Sequence, residues 1–117
     1  MELAVRRFDH PDETREMPLG GFDLVHIGGM TVGRASYEPG WKWSEHVGKA
    51  SGTAFCQSEH LCLVVSGRNR VTMEDGTTLD VGPGDLFTVP PGHDSEVLGD
   101  EPYVSLHLMG GESYASG

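Results

Sequence analysis

The chain has 117 residues, a length that suits one domain around one modest core. Its 17 glycines and 7 prolines are scattered without a period, which excludes collagen-like and low-complexity chains. The net charge is −10, and residues 71–117 hold nine acidic residues and no Lys or Arg, so general binding to nucleic acid or to an anionic membrane is excluded.

Residues 1–21 are charged from Arg6 to Glu16 and lack a long apolar run. They read as an extended arm, not as a signal peptide or a membrane span, and such an arm must dock to be ordered. Short apolar runs then alternate with Gly, Pro, Asp and Asn, and no helical periodicity is sustained. Strands are predicted over Phe22–Ile27, Met30–Tyr37, Trp41–His46, His60–Ser66, Arg70–Glu74, Thr78–Val81, Leu86–Val89, Ser95–Leu98 and Tyr103–Leu108. Asp75-Gly76 between two of them is a tight-hairpin signal. This spacing implies an all-β sandwich or barrel over residues 22–109. Residues 110–117 read as a flexible tail. Cys56 and Cys62, the two cysteines, do not make a disulfide scaffold, and a cytoplasmic protein is expected.

Gly40 is followed by five residues and His46; His60 is followed by six residues and Gly67; Gly84, Pro90 and Gly92 fall in the single run GPGDLFTVPPGH. This frame resembles the two motifs of the cupin superfamily. The resemblance implies a double-stranded β-helix, or jelly roll, a homodimer, a ligand pocket between the sheets and a divalent transition metal. His60 stands where cupins carry Glu. Gly48 stands at the place of the second motif-one His, and Ser95 at the place of the motif-two His. Nearby donors substitute: counting back from His60 places Cys56 at the second-His position, and His93 lies two residues before Ser95.

The candidate metal ligands are therefore His46 and His60 by strict matching, with Cys56 and His93 added by looser matching. Imidazoles with a thiolate favour zinc, with iron, nickel, manganese or copper as alternatives. Cys56 and His60 can share an ion only if Gln57-Ser58-Glu59 turns, because residues four apart on a strand are about 13 Å apart. The same residues also suit a wet pocket of hydrogen-bonded histidines beside a packed thiol.

An inward His46 would carry Lys42 and Ser44 inward with it. Trp41 and Trp43 would then cover the outside, at a dimer interface or under the arm. In the last strand Tyr103, Ser105 and His107 share one face. His107 lines the pocket if that face turns inward; a solvated surface position is the expectation. A carboxylate ligand would need Arg34, Lys42, Arg68, Arg70 or the ion itself, since the C-terminal part has no basic residue. Arg34, Lys42 and His107 are thus the candidate ligand-binding residues. Two functions fit: a metal-dependent enzyme of oxygenase, isomerase or cyclase type acting on a small organic molecule, or a non-catalytic small-ligand-binding or sensor module.

Overall fold

The computed structural model describes residues 1–111 and 114. It contains β1 (Glu13–Met17), β2 (Gly20–Ile27), β3 (Met30–Tyr37), α1 (Trp43–His46), α2 (Gly48–Ser51), β4 (His60–Ser66), β5 (Arg68–Met73), β6 (Thr78–Val81), β7 (Leu86–Val89), β8 (His93–Leu98) and β9 (Tyr103–Met109). A six-stranded sheet in the order β1-β2-β3-β9-β4-β7 faces a three-stranded sheet in the order β6-β5-β8. The named strand pairs are all antiparallel. The all-β jelly-roll expectation therefore holds. No helix among the described residues is long and apolar enough to cross a membrane.

Alternation decides which side chains fill the interior. On β4, His60, Cys62 and Val64 are buried, and on β9 Tyr103, Ser105 and His107 are. The core between the sheets gathers Phe22, Leu24, Tyr37, Trp41, Trp43 and Val64, among others. Gly67 carries the chain from one sheet to the other between β4 and β5. Its φ of 74° favours glycine, and a Cβ there would overlap the Pro102 carbonyl.

Three expectations change. The predicted strand Trp41–His46 is instead a turn and a short helix. Gly40, at φ 92°, turns the chain, and the Glu45 and His46 amides then donate to the Lys42 carbonyl. The tryptophans point the opposite way from the expectation. Trp41 stacks on Tyr37, ring centroids 3.7 Å apart and 3° from parallel, and both indoles are buried. Burying such large apolar surfaces outweighs turning Lys42 and His46 inward, so the Trp pair offers no outer interface.

The N-terminal arm also does more than dock. Its β1 pairs with β2 from Glu13↔Leu24 to Met17↔Gly20, and Asp12 accepts from Arg6 and from the His26 amide. Of the expected flexible tail, Gly110, Gly111 and Tyr114 are described, and 112–113 and 115–117 lie outside the described residues. Tyr114 is buried, and Arg15 donates to the carbonyls of Gly111 and Tyr114.

Candidate metal centre

His60 opens β4 and His93 opens β8, so each sheet contributes one imidazole from a strand end. Cys56 comes from the loop between α2 and β4. It is pinned by a bridge to His93: the Cys56 amide donates to the His93 carbonyl at 2.7 Å, and the Gly92 amide donates to the Cys56 carbonyl at 2.8 Å. Cys56 sits in that bridge and not on β4, so the separation of two residues on one strand does not apply to it. Cys56 Sγ lies 3.8 Å from His60 Nε2. One donor atom from each of Cys56, His60 and His93 lies within 4.8 Å of the other two. The donors of one tetrahedral zinc ion are about 3.3–3.8 Å apart, given bonds of about 2.0–2.3 Å. The three residues fit such an ion with small side-chain adjustments.

The protonation states agree with that fit. Burial lowers His60 to about 4, with the nearby His93 adding to the effect. Burial also lowers His93, against the pull of the Pro90 carbonyl and Asp94. Both are thus neutral imidazoles near pH 7, the form that binds metal. His93 Nδ1 lies 2.8 Å from the Pro90 carbonyl oxygen. A carbonyl only accepts, so Nδ1 carries the proton and Nε2 keeps its lone pair, as metal-binding histidines require. Burial raises the Cys56 thiol, partly offset by its hydrogen bonds from Ser58. Cys56 is therefore protonated until a cation displaces the proton. Cys62 is also buried, and burial alone lifts it to about 12. Among the described residues it belongs to no such cluster, and it serves as core.

His46 does not join the group. Its Nδ1 lies 3.0 Å from both the amide nitrogen and the carbonyl oxygen of Lys42, so the ring closes the turn of α1. The inward-pointing His46 of the strand reading is corrected by the same helical turn that buries the indoles. Lys42 Nζ is 4.0 Å from Asp94, and Arg34 donates to Asp23 at 3.1 Å while lying over the Phe8 ring. Neither side chain lines the cavity, because even-numbered residues of β3 face out and Lys42 bridges to Glu96.

His107 is corrected in the other direction. The side chain is 6% exposed, and its ring centroid is 4.8 Å from those of His60 and Phe22. Register explains this: His107 pairs with Gly33 of β3 and with Cys62 of β4, both on the buried face. Burial holds it well below the usual histidine range, and His60 and His93 add to this.

Sequence reasoning passed over Asn69 and Tyr114, and named Ser105 only as sharing the face of His107. Alternation along β5 placed Asn69 beside Val71, a signal that was present. For Tyr114 there was none. Its ring meets His60 edge-on and stacks near His107, and its hydroxyl lies 2.5 Å from that of Tyr37. Gly110, at φ 86°, lets the end of β9 pass close to Glu59, where a Cβ would overlap its carbonyl.

A cavity beside the cluster offers about 40 Å³ to the centre of a water molecule and is lined by His60, His93, His107, Asn69, Trp43 and Tyr114, among others. That space admits a few waters or a ligand of few heavy atoms.

Residues 32–104, more than half of the chain, match the family described as the EutQ-like cupin domain. No curated protein matches. A Rhizobium leguminosarum protein of unknown function is similar in structure: TM-score 0.64, 20% identity, covering 92% of this chain and 95% of that one. A protein of unknown function from Acidithiobacillus ferrooxidans gives TM-score 0.61 at 17% identity, over 83% of this chain and 86% of that one. A mutant of Bacillus subtilis oxalate decarboxylase gives TM-score 0.60 at 22% identity over 82% of this chain, which spans 27% of that one. These likenesses share the fold, and the family match with the two-sheet architecture makes this chain a member of the EutQ-like cupin domain family.

Proposed function

We propose that the protein is a metal-binding cupin that holds one divalent transition ion, zinc first, at Cys56, His60 and His93, and takes a small organic molecule into the adjoining cavity. The observation that carries this reading is the convergence of three buried soft or borderline donors from separate elements. Bound there, a divalent ion supplies Lewis-acid polarisation of a ligand oxygen. The chain's own residues do the rest. Pro90 fixes the His93 tautomer, and the Tyr114 ring packs edge-on against His60. His107 Nδ1 is buried without a protein partner, so it can hold or hand over a proton inside the cavity.

A non-catalytic ligand-binding module is the second reading. The small cavity favours it, and so does the absence of any carboxylate among its described lining residues, which offer His107 no carboxylate as proton-transfer partner. Reconstitution with Co(II) tests the metal reading. A thiolate-to-cobalt charge-transfer band should appear and should vanish in Cys56→Ser. A cobalt spectrum without that band would reject the thiolate as ligand. Turnover of small hydroxy, carbonyl or phenolic compounds by the metal-loaded protein separates the enzyme from the binding module.

A further inference from the structure

The cavity's chemistry limits what it can take. Its described lining residues include no Lys, Arg, Asp or Glu. The cations next in sequence to its lining residues lie outside it: Lys42 is 4.0 Å from Asp94, Arg70 pairs with Asp80, Arg68 is exposed, and Arg34 on β3 pairs with Asp23. An organic anion placed in the cavity would have no side-chain counter-charge, and a buried charge without a partner is costly. The lining residues also contribute neutral polar atoms that are buried without a protein partner, Ser105 Oγ and the Nδ1 atoms of His60 and His107 among them. Asn69 is 3% exposed, and its amide oxygen has no protein partner. The buried Trp43 indole nitrogen, also unpartnered, can only donate. One group asks for an N–H or O–H from a ligand, and the other asks for a carbonyl or hydroxyl oxygen.

We propose that the cavity selects a small ligand carrying at most one negative charge, with a neutral hydrogen-bond donor directed at Asn69 and an uncharged oxygen for Trp43. This rests on the proposed metal site only for the one permitted charge: a divalent ion with one thiolate leaves a single net positive charge for the ligand to meet. A small dianion, such as the oxalate that names the similar decarboxylase, is excluded.

Oxamate and oxalate have nearly the same shape, and differ in that one end is a neutral amide in oxamate and a second carboxylate in oxalate. Calorimetric titration of the metal-loaded protein should show oxamate binding at least tenfold tighter than oxalate. Asn69→Ala should reduce that ratio to within about threefold while leaving the metal content unchanged. Oxalate binding as tightly as oxamate, or tighter, overturns the proposal. Neutral oxamide is titrated in parallel against protein whose metal content has been measured. If no ion is present and oxamide still binds over oxalate, the metal reading fails and this inference stands. If neither oxamate nor oxamide binds, the inference fails whatever the metal content.

Discussion

The two faces of the same strands have sorted their chemistry completely. The outer face carries the ion pairs: Arg70 with Asp80 exposed to water, Arg34 with Asp23 half-buried, and Lys42 near the half-buried Asp94. The interior holds Cys56, His60, His93 and His107 among aromatic rings, and its described lining residues carry no formal charge. Charge is cheap outside because solvent screens it, and it is excluded inside because nothing replaces that solvent. Neutral imidazoles and a thiol are polar groups that an apolar interior tolerates, and they become ligands when a cation arrives. Among the described residues the acidic surplus belongs to the outer faces and the turns. It contributes to solubility and has no part in the cavity.

Changes to the inner face should therefore cost far more than changes to the outer face. The largest effect is expected for Trp41→Ala, which removes the indole stacked on Tyr37 and leaves a void. A loss of about 3–5 kcal/mol is expected in urea unfolding. Stabilisation by more effective collapse around the gap would contradict the core assignment.

Acid comes next. In the metal-free protein His60 titrates at about 4, against about 6.5 when unfolded. Between those values the unfolded chain binds a proton that the folded chain does not. Stability is then flat above pH 6.5 and falls as pH drops toward 4, by about 3 kcal/mol from His60 alone. His107 and His93 are shifted in the same direction and steepen the loss. Urea midpoints measured across that range check this, and a midpoint that does not move would refute burial of the neutral imidazoles.

Tyr37→Phe should cost less. It removes one hydroxyl of the Tyr37–Tyr114 pair and leaves the other buried without that partner. About 1–2 kcal/mol is expected by the same measurement, and faster amide exchange around Gly111 should accompany it. Arg70→Ala should cost least, because the Arg70–Asp80 pair is exposed. Its melting midpoint should match the parent's within measurement error in moderate salt; a clear drop would show that the outer face is not the inert one.

The fold was legible because its signals are local. Strands alternate inward and outward residues, and Asp75-Gly76 and the Gly/Pro frame mark the turns. Most strand spans follow from these alone, to within a residue or two at their ends. The region Trp41–His46 was not legible, because its alternating apolar residues fit a strand, whereas the turn at Gly40, the amides closing on the Lys42 carbonyl and the burial of both indoles make it a turn and a short helix. His107 shows the same ambiguity: its alternating face was read correctly, but its direction depends on pairing with β3 and β4, far away in sequence. Cys56 was legible as a candidate only through the spacing of the resembling motif, and its position depends on the bridge to His93. Tyr114 left no trace in the sequence, since a lone aromatic residue beyond the last strand carries no periodic signal.

The central claim is that the metal ligands are Cys56, His60 and His93 and not His46. The most direct test is the ion-to-chain ratio of untagged protein, measured by elemental analysis for the parent, His60→Ala and His46→Ala. One ion per chain in the parent and in His46→Ala, with loss in His60→Ala, is the predicted result. An ion retained by His60→Ala and lost from His46→Ala, or a parent that binds none with its histidines intact, would contradict it.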